Sequence, residues 1–339
     1  MIQDRARVAY TAASAVRAIR IHENGDAQKL RLEDVPLPVP KPGEARVRHE
    51  AVGVNFIDVY HRTGLYPVPS LPSGLGVEGC GVVDAIGDGV TEVKVGDRVA
   101  YAPGPIGAYA EQHVVPAARL VKVPDELDAV TVAATLLKGM TAEFLIRRAF
   151  PVKAGQTVLF HAAAGGVGLL ACQWLASLGA TVIGTVGSDA KVEVAKRHGC
   201  AHVIVYTRED FAARVREITG GKGVPVVYDS VGKATFLRSL DCLAPRGMLV
   251  GFGNASGKPD PIEPNLLAQK GSLYLTRATL FTYVAERADL LESSGALFDA
   301  LRREVIVPTV HERLPLERAA DAHRALESRG TIGAMVLVP

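Results

Sequence analysis

The chain has 339 residues, 48% hydrophobic and 22% charged, a balance that supports a buried globular core and excludes wholesale disorder. A formal net charge of +2, with no Lys/Arg run longer than a pair, leaves no electrostatic footprint for nucleic acid or an anionic membrane. The length suits two domains, and four scattered cysteines (Cys80, Cys172, Cys200 and Cys242) without a CxxC pair argue against a disulfide framework or a zinc ribbon and for a reducing, cytoplasmic setting.

Residues 1–15 have no apolar run of signal-peptide length, and Asp4 speaks against a mitochondrial presequence. They read as an extension ahead of a first strand at Arg17–Ile21. Up to about residue 125 the pattern is strands and turns. "LEDVPLPVPKPGEARVRHEAVGVN" spaces four prolines along an extended edge, and "GCGVVDAIGDGVTEVKVGDRVAY" is β-branched and turn-rich. A small, mostly β, partly barrel-like domain is expected. Asp125–Ala149 has helical spacing and stops before Pro151.

From Gln156 strands and helices alternate. Strands are expected at 157–160, 181–186, 202–206, 224–229 and 247–252, with helices at 167–178, 189–198, 210–219 and 233–243. A strand at 272–278, a long helix around Val284–Arg303 and a terminal β segment "GAMVLVP" follow. Such alternation means βαβ units and a doubly wound parallel sheet.

Ala154–Ser188 holds no Asp, Glu, Lys or Arg, so a membrane span has to be considered. A spanning helix needs about 20 continuous apolar residues, but Gly165, Gly166 and Gly168 interrupt this stretch. It divides into "QTVLF", "HAAAGGVG", "LLACQWLASLG" and "ATVIGTV", the near-continuous apolar pattern of a βαβ unit covered on both faces. Within it Ala163-x-Gly165-x-x-Gly168 is a dinucleotide fingerprint with Ala in the first glycine place. Gly165 admits a pyrophosphate to the backbone, and Gly168 lets the helix close on the strand. An NAD site usually has Asp or Glu at the end of the second strand for the ribose 2′-OH. Here that place reads Thr185-Val186-Gly187-Ser188. A 2′-phosphate would be repelled by a carboxylate and welcomed by Ser188 and Lys191, so NADPH is the expected cofactor.

The segments "GVNFIDVYHRTGLYP", "LPSGLGVEGCGVV", "GAYAE", "LLKGMTA", "FHAAAGGVGLLACQW", "VYDSVG", "GFGNASG", "KGSLYLTR" and "ESRGTIGAMVL" resemble the zinc-free, zeta-crystallin-like NADPH:quinone oxidoreductases of the medium-chain dehydrogenase/reductase superfamily, from about Arg17 to Pro339. One departure is Ala176, where that family tends to have Lys, Arg or Ser. The resemblance implies an α/β fold: a Rossmann-type doubly wound parallel sheet domain plus a β-rich, GroES-like catalytic domain built from both chain ends, with a cleft for NADPH and substrate. The expected organisation is 16–138 for the first part of the catalytic domain, 139–278 for the NADPH domain, and 279–339 for the return segment, after the extension 1–15.

The resemblance also explains the missing metal. Zinc members of the superfamily have Cys where this chain has Asn55, "GHE" where it has Gly76-Val77-Glu78, and a Cys near Lys138. Only Glu78 is left of a set that must number about three. It further implies that Asn55, Asp58 and Tyr60 lie beside the nicotinamide, with Tyr60 and Tyr66 on a loop facing it as proton donors or aromatic walls. Thr141, Ala164, Gly165, Gly166, Val167, Ser188, Lys191 and Tyr206 would hold the phosphates and adenosine. Ser230, Phe252, Gly253, Asn254, Arg277 and Arg329 would complete the site. The expected reaction is NADPH-dependent reduction of a quinone or enone by a homodimer, the "GSLYLTR" strand contributing to the interface. The alternatives are a 2-enoyl thioester or alkenal reductase of the same superfamily, and a non-enzymatic RNA-binding or structural role like that of zeta-crystallins.

Overall fold

The computed structural model describes residues 15–339, so the expected extension ahead of Ala15 lies outside the described residues. The chain divides into two units. One runs up to Asp125 and takes in Leu314–His323 and Leu337–Pro339; the other comprises Glu126–Arg313 and Arg324–Val336.

The first unit begins with β1 (Ala15–Ile21), paired antiparallel with β2 (Arg31–Pro36). The long β3 (Glu44–Val54) leads into a helix, α1 (Phe56–Thr63), then β4 (Ser73–Gly74), β5 (Gly79–Ile86), β6 (Arg98–Tyr101), β7 (Gln112–Pro116) and β8 (Val121–Lys122). β3 pairs antiparallel with β5 on one side and β7 on the other, and β5 pairs with β6. Alternate residues of β3, Ala45, Val47, Ala51 and others, are fully buried, each large side chain contributing about 1.5–3 kcal/mol.

Helix α1 contradicts the expectation of strands and turns throughout this region. Its capping explains it: Asp58 at the third helical position accepts the backbone N–H of Asn55 (2.8 Å), and Gly64 closes the helix at φ 80°. An eight-residue helix rich in β-branched and aromatic side chains has little propensity signal of its own.

The second unit opens with α2 (Ala129–Phe144), prolonged by a π-helical turn at Leu145–Ala149. The boundary therefore falls before this helix, at Asp125/Glu126 rather than at 138/139, because α2 is one continuous element that packs on the unit's other helices. The alternation then runs β9 (Thr157–Phe160), α3 (Gly166–Ser177), β10 (Thr181–Val186), α4 (Val192–Arg197), β11 (Cys200–Val205), α5 (Phe211–Ile218), β12 (Val224–Asp229), α6 (Phe236–Ser239), β13 (Leu243–Gly251), α7 (Pro264–Gln269) and β14 (Tyr274–Arg277). All pairings are parallel, in the order β11-β10-β9-β12-β13-β14, so the chain reverses direction between β9 and β12. That reversal is the topological switch point, outside whose strand ends ligands bind in open α/β sheets.

The strands at 157–160, 181–186 and 224–229 lie as expected. β13 begins four residues early, with Arg246 at φ 62° inside it. The long helix splits into α8 (Leu280–Tyr283) and α9 (Arg287–Arg302), because Val284 leaves the helical region. Residues 279–313 belong to the second unit and not to a return segment. Then come β15 (Val310–Pro315), α10 (Ala319–Glu327) and β16 (Ala334–Val338).

Among the described residues one helix, Ala129–Ala149, is long and apolar enough to cross a membrane. It is mostly buried and packs against α3 and α9. The uncharged Ala154–Ser188 stretch is β9-α3-β10, whose strand and helix side chains are largely buried.

Candidate active site

In the second unit the turn after β9 is shaped by backbone. Ala162 takes φ 54°, and its carbonyl accepts from Gly165 N–H (2.9 Å). A Cβ on Gly168 would stand 2.8 Å from Cα and the carbonyl carbon of Ala163, so the helix closes on the strand only with glycine there. Gly165 is the N-cap of α3 and provides no side-chain acceptor, and the first turn carries no acid. Ala163 and Ala164 are buried, while Gly165, Gly166 and Val167 are partly open. Free N–H groups at the positive end of a twelve-residue helix make a site for a phosphate.

The ends of β9, β10 and β12 are held by a buried chain. Asp229 accepts from the N–H of Val231 and Gly232 and from the hydroxyls of Thr235 and Ser239. His161 lies 3.0 Å from Ser239 Oγ and 2.8 Å from Thr185 Oγ1. Since Ser239 donates to the carboxylate, it accepts from His161 Nε2–H, and Thr185 donates to Nδ1. The imidazole is thus neutral, and burial lowers its pKa.

At the end of β10 the structure gathers Ser188, Lys191, Tyr206 and Arg329. Lys191 N–H donates to Ser188 O (3.1 Å), and its ammonium donates to Arg329 O (2.6 Å). The Tyr206 ring lies beside Gly187, within 3.8 Å of a Cβ placed there. Burial pulls the Lys191 pKa down. Asp189, which would repel a 2′-phosphate, is turned to Arg208 (2.8 Å). The loop carrying Arg329 continues to Gly333, whose N–H donates to Ala164 O (3.3 Å), so one segment touches both the β9 turn and the Lys191 corner.

Across the switch point, Phe252 N–H donates to Asp229 O, and Gly253 lies so close to Ser230 that a Cβ would stand 2.7 Å from its carbonyl oxygen. Asn254 packs on Gly232, and the Arg277 guanidinium donates to Gly251 O and Ala278 O. Thr141 faces inward on α2, its hydroxyl bonded to Leu137 O.

The first unit pairs Asn55 with Asp58 through the Asn55 backbone N–H, and Tyr60 with Tyr66 through their rings. Tyr60 is on α1, not on a loop, and is buried. Its ring meets Tyr66 edge-on at 5.1 Å between centroids. Asn55 Nδ2 donates to Glu78 (2.8 Å). Asp58 also accepts from Tyr109 (2.9 Å), Tyr109 lies 3.1 Å from His323 Nε2, and Arg62 Nη1 lies 3.3 Å from His323 Nδ1. Arg62 can only donate, so Nδ1 accepts and Nε2–H points to Tyr109. The relay Arg62→His323→Tyr109→Asp58 is fully buried. Burial first, then the Arg62 charge, holds the His323 pKa down to about 3. Tyr109 lies inside the segment "GAYAE" and Arg62 inside "GVNFIDVYHRTGLYP", neither singled out by residue, and nothing in the sequence marks His323.

Glu78 is engaged by the Asn55 amide, and no group of three His, Cys, Asp or Glu stands ready for a metal among the described residues.

A parallel sheet in this order with a phosphate-ready turn, in a chain that also folds a β-rich unit, defines a two-domain nicotinamide dehydrogenase or reductase. Residues 41–125 match the alcohol dehydrogenase GroES-like domain family, and residues 166–293 match the zinc-binding dehydrogenase family. A quinone oxidoreductase of Pseudomonas aeruginosa is 50% identical over 323 residues, 95% of this chain and 99% of its own. A 2-haloacrylate reductase of a Burkholderia species is 47% identical over 96% of this chain and 99% of its own. The crystal structure of Escherichia coli quinone oxidoreductase complexed with NADPH superposes with a TM-score of 0.94 at 46% identity, covering 95% of this chain and all of that one. The chain belongs to the quinone oxidoreductase family of the medium-chain dehydrogenases/reductases.

Proposed function

We propose that this protein reduces quinones with NADPH by hydride transfer, without zinc. The carrying observation is the β10 corner: no carboxylate faces it, Asp189 is turned away to Arg208, and Ser188 and Lys191 stand where a ribose 2′-phosphate would sit. The α3 N-terminus fits the diphosphate bridge, and the bound cofactor supplies the hydride. A quinone takes up that hydride and one proton to give the hydroquinone, and its oxygen gains charge as it does so. The phenols of Tyr60 and Tyr66 and the amide of Asn55 are the donors we assign to that oxygen. Electron-poor acceptors need no Lewis acid for this step. The family resemblance carries the individual assignments of Asp58, Thr141, Tyr206, Ser230, Asn254, Arg277 and Arg329 to the cofactor.

A second acceptor class, alkenes conjugated to a carbonyl, is favoured by the 47% identity to a 2-haloacrylate reductase. We further infer a cytoplasmic homodimer. The terminal strand β14 has an unpaired edge and leaves Tyr274 59% and Leu275 38% exposed, as an edge covered by a second copy would be. The near-neutral net charge gives an RNA-binding role no support.

The test is NADPH and NADH titration of the wild type and Lys191→Ala, followed by turnover with 1,4-benzoquinone, 2-chloroacrylate and crotonyl-CoA. NADPH preference lost in the variant, with benzoquinone the fastest acceptor, is the expected result. Equal affinity for the two cofactors would overturn the NADPH assignment. Turnover of only the enoate or thioester would move the protein to the second class.

A further inference from the structure

The β10 corner has a carboxylate at its rim, and one side chain occupies it. Asp189 follows Ser188 directly, so it stands close to the place where an NAD site carries the acid for its ribose 2′-OH. Arg208 holds both of its oxygens: Nη1 donates to Oδ2 and Nη2 meets Oδ1, each at 2.8 Å. This two-pronged guanidinium–carboxylate geometry fixes direction as well as charge, and a lysine cannot reproduce it. The loop after β11 puts Arg208 in place. Tyr206 N–H donates to Val186 O (3.1 Å), and the Thr207 hydroxyl donates to Gly187 O (3.2 Å). Those bonds tie the loop to the end of β10, while Arg208 N–H donates to Val205 O (3.1 Å) and closes the turn that presents the guanidinium. Both side chains of the pair are more than half exposed, and ion pairs so solvated contribute little to stability. What the pair changes is the charge a ligand meets at the corner.

We propose that Arg208 is a specificity-determining positioning residue: by neutralising Asp189 and holding it aside, it lets the corner at Ser188 and Lys191 accept a 2′-phosphate and so sets the preference for NADPH over NADH. This rests on the reading of that corner as the 2′-phosphate site. Arg208 acts through Asp189 and does not itself touch the cofactor. A released Asp189 would meet a 2′-phosphate as a like charge but a 2′-hydroxyl as a hydrogen-bond acceptor. Loss of Arg208 should therefore fall on one cofactor only.

The experiment is calorimetric titration with NADPH and with NADH of wild type, Arg208→Ala, Arg208→Lys, Asp189→Asn and the double variant Arg208→Ala/Asp189→Asn. Arg208→Ala should weaken NADPH by about fivefold to tenfold and leave NADH within about twofold or tighter. Asp189→Asn should bind NADPH at least as tightly as wild type. In the double variant it should bring NADPH affinity back to within about twofold of wild type. Arg208→Lys should fall between wild type and the alanine variant, because it keeps the charge without the fork. Melting midpoints should agree across the set, as for other exposed substitutions. Unchanged NADPH affinity in Arg208→Ala, or an equal loss of NADH, would overturn the proposal. So would a double variant as weak as Arg208→Ala, which would mean that Arg208 touches the phosphate directly. A wild type that binds both cofactors equally would overturn the NADPH reading itself, before any Arg208 variant is considered.

Discussion

The two units prepare their chemistry in opposite ways. The second presents backbone: a turn of alanines and glycines, a helix end without a capping side chain, and room kept by the absence of Cβ atoms at Gly166 and Gly168. The first presents side chains locked by a buried polar chain from Arg62 through His323 and Tyr109 to Asp58. A backbone site survives many side-chain changes but fails at a single added methyl. A side-chain relay tolerates small volume changes but fails when one donor is lost, because its neighbours are then buried without a partner.

Acid should open the first unit before the second, in which His161 is also buried and held neutral. In the first unit, burial takes His49 and His113 from 6.5 down to about 4, and His323 to about 3. His49 is neutral by its bonds, Nδ1–H donating to Ala110 O and Nε2 accepting from Tyr101. Each histidine is charged more readily in the unfolded chain. The stability it supports is therefore present above about pH 6.5 and lost as pH falls toward 4 and below. Unfolding free energy should be flat above pH 7 and fall by several kcal/mol by pH 4. Hydrogen exchange should show strands β3, β5 and β7 opening before the parallel sheet, and simultaneous opening would break the comparison.

Arg62→Ala removes the donor at the head of the relay and a large, fully buried side chain. It should cost about 3 kcal/mol in urea unfolding. Gly168→Ala should cost about 1–3 kcal/mol by overpacking against Ala163 and weaken NADPH binding in titration. Tyr109→Phe deletes one hydroxyl between Asp58 and His323. A loss of about 1–2 kcal/mol in unfolding is expected, with kcat for quinone lowered and KM for NADPH kept. Lys191→Ala is the smallest change. It should weaken NADPH about tenfold, or about 1.4 kcal/mol, and leave NADH and thermal stability unaltered.

The parallel sheet was readable because each βα unit carries its signal within a few residues: β-branched runs, glycine turns, helical spacing, and strand starts at 157, 181 and 224. The missing acid at the end of β10 was equally local. Helix α1 was not readable, although the Asn55 and Asp58 spacing with Gly64 marks its two ends, because eight residues give too short a period to count. The boundary at 125/126 was hidden for a related reason, since sequence shows where a helix runs but not which core it joins.

The sequence by itself therefore determined the dinucleotide turn, the absence of an acid at the 2′-phosphate corner and the alternating α/β order, all properties of neighbours along the chain. Only the tertiary structure decided that Lys138 reaches Gly166, that the Arg329 loop bridges Lys191 and Ala164, and that Arg62 meets His323 across 261 residues. Contacts at that separation come from the packing of whole elements, and no local period or propensity encodes them.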